Sequence, residues 1–122
     1  MPWEMLMQAG LAVPGKNGGA YDKFRGRVMI PIKDPRGRIV GFTGRILGDG
    51  MPKYMNTGET EFFIKRYLLF GLDIAVNEIR KTRQAIVVEG HMDAISLHAA
   101  GVKNAVASMG TAFAAEQARL LK

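Results

Sequence analysis

The sequence contains no cysteine and only two histidines among its 122 residues. The first absence excludes disulfides, zinc–thiolate sites and cysteine nucleophiles. With His91 and His98 alone, a histidine-rich metal site is excluded too. No apolar run approaches the roughly 18 residues that a membrane-spanning helix needs. The opening segment, MPWEMLMQAG, carries Glu4 and has no Lys or Arg ahead of its apolar residues. It therefore does not read as a signal peptide. Together these absences give the cytoplasm as the expected location and no membrane as a partner.

Hydrophobic residues make up 48% and charged residues 23%, ordinary values for a globular chain. The length suits one domain or two small subdomains. The charge is unevenly placed. Residues 16–53 hold nine Lys and Arg against three Asp, a net +6, which equals the charge of the whole chain. All the excess positive charge thus lies in one segment. Such a concentration is the electrostatic footprint of a polyanion partner, although a solvated basic hairpin has the same composition.

The patterning changes near residue 60. Phe24 to Ile32 reads as a strand, and Pro31 places it at a sheet edge or ends it. Asp34-Pro35-Arg36-Gly37 is a turn: Pro presets φ and Gly accepts positive φ. Arg38 to Leu47 reads as the returning strand, in which Gly41 and Gly44 imply a bulge or a close approach. Gly48-Asp49-Gly50 turns the chain into a short third strand, Lys53 to Asn56. Beyond residue 60, the spacing predicts a helix over Leu72–Lys81, broken at Thr82 and Arg83. Ala85 to Val88 is a continuous apolar run, expected as a strand buried on both faces. A helix over Asp93–Ala100, a second buried strand over Asn104–Ser108 and a final helix over Ala112–Lys122 follow. The expected class is α+β / α/β. A small antiparallel basic sheet occupies residues 1–83, with a helix, and the beginning of a parallel α/β fold occupies residues 84–122. Two parallel strands make a poor sheet, so the chain is expected to be part of a longer protein. The eight methionines read as core filler.

Four groups of residues can carry chemistry. In Val88-Glu89-Gly90-His91-Met92-Asp93, a carboxylate ends a buried strand and a second follows four residues later. Open α/β sheets place ligands at such strand ends. Two carboxylates there suit a hard cation or a proton transfer; Asp93 could equally serve only the helix start. Ser108-Met109-Gly110-Thr111 could offer backbone N–H groups to a phosphate, or be simply a tight loop. Arg45, Lys53 and Tyr54 bracket a Gly-rich turn with bases and an aromatic ring. That mixture suits single-stranded nucleic acid, with charge meeting phosphate and the ring stacking on a base. Arg27 and Arg38, in the same basic segment, join them as candidate contacts. Lys65-Arg66-Tyr67 repeats the combination. His98 reads as structural.

Taken together, these strings resemble a known family. Tyr21 to Ile32, Arg36 to Arg45 and Pro52 to Thr60 resemble the opening of the catalytic core of bacterial (DnaG-type) DNA primases. Ala85 to Asp93 and Asn104 to Thr111 resemble the first two strands and loops of a Toprim domain, shared by such primases and by type IA and II topoisomerases. The series runs in order from about residue 10 to the end. His91 stands where the family usually has Tyr, Gly58 where it has Pro, Ile64 where it has His, and Phe70 where Tyr is common.

The resemblance implies an enzyme that copies a single-stranded DNA template into a short RNA primer from ribonucleoside triphosphates. It implies Glu89 and Asp93 as catalytic carboxylates, Glu89 also a ligand of Mg2+ (or Mn2+) in an incomplete site. It implies Arg45, Lys53, Tyr54 and Lys65 as contacts to template or nucleotide. Zinc is expected only in a separate domain absent here. A replicative helicase and a single-strand-binding protein are expected as partners through absent parts, at the bacterial nucleoid and replisome. The Toprim Asp-x-Asp does not occur in these residues, so this chain by itself is expected to be inactive. A non-catalytic single-strand-binding module and another Toprim enzyme, such as a phage primase-helicase, are the competing readings.

Overall fold

The computed structural model describes residues 3–58, 60, 63–109 and 112–122. The chain divides into two compact units. The first holds residues 1–32 and 40–63, the second residues 33–39 and 64–122. The helix that follows residue 71 packs against Leu69 and Val106 of the second unit.

In the first unit a six-residue helix, α1 (Trp3–Gln8), leads into a hairpin of β1 (Ala12–Pro14) and β2 (Ala20–Asp22). None of the three is visible in the sequence pattern, because three-residue strands are too short to show alternation. The basic sheet follows, with order β3-β4-β5: β3 (Arg27–Lys33), β4 (Ile39–Ile46) and β5 (Tyr54–Asn56). All three strands expected from the sequence are present, and Pro31 lies on an edge strand, as its missing N–H requires.

The glycines of β4 mark close approach, not a bulge. A Cβ on Gly41 would lie 3.2 Å from the Phe63 ring, which is fully buried. Thr57 fastens β5 to β4, its backbone N–H donating to Phe42 O at 2.9 Å and its hydroxyl accepting from Phe42 N–H at 2.8 Å.

At the β3–β4 turn, Asp34 Oδ1 accepts the N–H groups of Arg36 and Arg38, both at 2.9 Å. Its Oδ2 accepts from Arg38 Nε at 2.8 Å. Gly37 takes φ +83°, which a turn residue with a side chain would resist.

In the second unit, α2 (Leu72–Thr82) is amphipathic and buries Leu72, Ala75 and Ile79 with Leu69 and Val106. It ends at Arg83, in the left-handed region, whose N–H reaches Ile79 O at 2.8 Å. Strands β6 (Ile86–Val88) and β7 (Ala105–Ala107) pair in parallel around α3 (His91–Ala99). The whole of β7 is buried. The expectation that β6 is buried on both faces is corrected: Ile86 is 41% and Val87 38% exposed. Among the described residues β7 is its only strand partner, whereas β7 also bonds Phe70 on its other edge, at 2.9 and 3.0 Å.

The last helix, α4 (Ala115–Leu120), starts three residues later than the pattern predicts. Ala114 is extended, and the Gln117 side chain takes its N–H. The methionines are not core filler as a group: Met51 is 84% and Met5 56% exposed, while Met109 is buried.

The Asp34 turn makes a pH prediction. The backbone N–H of Arg38 first, then the Arg38 guanidinium and the Arg36 N–H, hold this carboxyl below the usual 3.8 of an aspartate. Its stabilisation is therefore complete above that value and is lost as pH falls through the lower folded value. Asp34→Asn is expected to flatten this acid limb in denaturant titrations run from pH 5 to pH 2; an unchanged limb would reject the assignment.

Candidate nucleic-acid interface

Alternation along the strands sorts the side chains of the basic sheet. Thr43 pairs with Asn56, and Arg45 with Tyr54, so these four share one face. Gly44 and Met55, also paired, belong to the opposite face. On the first face the Arg45 guanidinium sits 5.6 Å from the Tyr54 ring centroid and also donates to the carbonyl of Ile46. Lys53, next to Tyr54, is exposed. The structure thus brings Arg45 and Tyr54 together, while Lys53, opposite Ile46 in the same register, falls by alternation on the face of Gly44 and Met55.

Two neighbours on the face of Arg45 and Tyr54 escaped sequence reading. Thr43 is fully buried, yet its Oγ1 and the Oδ1 of Asn56 have no hydrogen-bond partner among the described residues. Buried polar groups are nearly always paired, so these two enclosed oxygens are exceptions within the packing of the sheet. The period of two counted back from Arg45 and on from Tyr54 is the signal that could have found them.

The other two arginines are engaged elsewhere. Arg27 lies over Gly44: its Nη1 donates to Gly44 O at 3.1 Å and, more weakly, toward Lys53 O at 3.5 Å. Lys53 O also accepts from Ile46 N–H at 2.9 Å. Arg38 is bound to Asp34 in the turn, with its side chain 69% exposed.

In the second unit, Lys65, Arg66 and Tyr67 form one 3₁₀ turn, with Arg66 5.0 Å from the Tyr67 ring centroid. Glu89 follows β6 and is exposed, as is Asp93. Gly90 caps α3 in extended conformation, so the helix begins at His91 and Asp93 falls in its first turn. A Cβ on Gly90 would stand 3.3 Å from Asp93 Oδ2, so glycine leaves that carboxylate its room.

His91 is buried and meets the Phe70 ring edge-on at 5.7 Å. Burial pushes its pKa below 6.5, with the nearby Asp93 charge opposing. This slot suits a neutral ring. His98 Nε2 bonds Ala105 O at 2.9 Å, a structural role as expected.

The phosphate-loop reading of residues 108–111 is corrected in part. The N–H groups of Ser108 and Met109 are taken up by Val88 O and Glu89 O, at 3.0 and 2.9 Å. Gly110 and Thr111 lie outside the described residues. Both carboxylates are hard oxygen donors, the type a Mg2+-like ion takes. Among the described residues no group of three or more such ligands converges.

The packing around Gly44 leaves little room for a side chain. A Cβ there would stand 2.9 Å from Arg27 Cδ, 3.0 Å from the Phe24 ring and 3.2 Å from the Met29 sulfur. Gly44→Ala is expected to destabilise the chain by about 1–3 kcal/mol through overpacking. Urea denaturation measures it, and a neutral or stabilising effect would refute the close approach.

Comparison with known proteins gives these residues a family. Residues 1–76 match the family model described as DNA primase catalytic core, N-terminal domain, and residues 83–122 match the Toprim domain. The DNA primase of Synechococcus elongatus is 54% identical over 121 residues, covering 98% of this chain and 17% of that protein. The DNA primase of Escherichia coli K12 is 45% identical over 118 residues, 97% of this chain and 20% of that protein. A solved DnaG primase catalytic domain bound to ssDNA superposes with TM-score 0.90 at 45% identity, over 97% of this chain and 38% of the other. The RNA polymerase domain of Mycobacterium tuberculosis primase DnaG, in complex with double-stranded DNA, gives 0.88 at 42% identity, over 99% and 39%. The chain spans about a fifth of the length of the curated relatives it matches. With more than half its length matched in register, and with its basic sheet and parallel α/β start in place, the chain belongs to the DNA primase catalytic core, N-terminal domain family.

Proposed function

We propose that this chain is part of a primase that synthesises short RNA primers on a single-stranded DNA template from ribonucleoside triphosphates. The observation that carries the reading is the Arg45–Tyr54 pair with Lys53 beside it, on a strand pair of the family-matched segment. A guanidinium on an aromatic ring offers a phosphate contact and a stacking surface in one place. Arg66 over the Tyr67 ring, next to Lys65, supplies a second such place in the other unit. Arg27 and Arg38 contribute positive field, while their hydrogen bonds serve the sheet and the turn.

Glu89 and Asp93 are the proposed catalytic carboxylates. Their exposed oxygens fit a divalent cation, and an ion held there would offset charge on the reacting phosphates. Glu89 is the proposed acceptor for the proton of the primer 3′ hydroxyl as that oxygen attacks the α-phosphate and pyrophosphate leaves. Its backbone is held by Met109 N–H, so the carboxylate projects from a fixed point.

Two variants of the full-length protein carrying this chain test the reading. Arg45→Ala with Lys53→Ala is expected to weaken single-stranded DNA binding and to lower the salt slope by about 0.7 for each phosphate no longer neutralised. Glu89→Gln is expected to cut primer synthesis by about 10²-fold or more while leaving template affinity near its starting value. Unchanged binding in the first variant would remove the interface, and unchanged synthesis in the second would remove the catalytic assignment, leaving a binding module.

A further inference from the structure

One fully buried polar side chain is used by none of the chemistry above. Gln117, on α4, has no exposed surface and ranks with Phe63, Ile32 and Leu69 among the largest side chains so enclosed. Burying an amide is costly unless its hydrogen bonds are replaced. Here they are. Gln117 Oε1 accepts Ala114 N–H at 2.9 Å. Its Nε2 donates to Leu68 O at 2.8 Å and to Lys65 O at 3.2 Å. The two carbonyls bracket the 3₁₀ turn that carries Lys65, Arg66 and Tyr67.

The turn's own bonds are Tyr67 N–H to Ile64 O at 3.0 Å and Leu68 N–H to Lys65 O at 3.1 Å. A single 3₁₀ turn is a weak structure on its own. An apolar residue of the same size would fill the space of Gln117 but take from Ala114 N–H and Leu68 O the bonds they make here, and leave Lys65 O with only the bond from Leu68 N–H. The amide therefore serves position more than burial. The residue it positions lies 52 places away in sequence.

We propose that Gln117 is a positioning residue for nucleic-acid binding: it fixes the backbone of the Lys65 turn to α4 and so sets where Lys65 is presented. The proposal rests on the reading of Lys65 as a nucleic-acid contact. It links a helix of the Toprim match to a basic turn that the family model assigns to the N-terminal domain.

The test uses the full-length protein and a fluorescein-labelled oligothymidylate as the single-stranded probe. Gln117→Met is expected to speed amide exchange at Tyr67 and Leu68 and to weaken binding about threefold or more, non-additively with Lys65→Ala. The double variant should bind no worse than Lys65→Ala alone. Gln117→Glu keeps the acceptor for Ala114 and regains one donor only when protonated. Its affinity relative to the parent should therefore rise as pH falls, and it remains informative if the Met variant fails to fold. If Lys65→Ala leaves affinity unchanged, the reading of Lys65 fails and takes the positioning role with it. If Lys65→Ala weakens binding but the Gln117 variants do not, or if their effects simply add, the positioning role alone is overturned.

Discussion

The α/β core of the second unit is built on the pairing of β7. Its three residues are completely buried, bonded to β6 on one edge and to Phe70 on the other. Leu69, Leu72, Ala75 and Ile79 close over Val106. The ladder does not stop at the strand end, because Ser108 and Met109 continue it to Val88 and Glu89. The backbone of the first candidate carboxylate is therefore an extension of the best-packed strand in its unit. Gly90 then turns the chain so that the second carboxylate arrives within one helical turn. The site is exposed, but what orients it is not.

The basic sheet solves a different problem with the same economy of means. Positive charge repels itself and must still be held on a thin sheet. Arg27 is laid flat across Gly44, where only a glycine leaves space, and its charge is satisfied by carbonyl oxygens of Gly44 and Lys53. Arg38 is neutralised by Asp34 in the turn. These two arginines brace the sheet, while Arg45 lies against Tyr54 and Lys53 is exposed. The bases of a strongly basic segment thus separate into bracing and presenting residues in three dimensions.

The strands and helices with several apolar repeats were legible in the sequence. β3, β4, β5, α2, α3 and the two parallel strands lie where periodicity and turn chemistry put them, within a few residues. The family likeness was legible for the same reason: its motifs sit at the element ends that Gly, Pro and charge mark. What was not legible depends on contacts distant in sequence. The β1–β2 hairpin has three-residue strands. The exposure of β6 depends on how many strands flank it. The role of Gln117 depends on carbonyls 49 and 52 residues away, and nothing in the local pattern distinguishes it from a surface glutamine. Arg27 and Arg45 look alike in a charge count, and only the strand register tells them apart.

Each of the three tyrosines carries an arginine over its ring: Arg25 on Tyr21, Arg45 on Tyr54 and Arg66 on Tyr67. A ring held under a guanidinium has already lost much of its rotational freedom. A planar guest arriving at such a ring displaces a neighbour rather than ordering a mobile side chain, and the entropic cost of association is smaller. The displaced guanidinium stays within reach of whatever anion accompanies the guest. Encounter at each of these points is an exchange of partners, and exchange of partners can be fast in both directions.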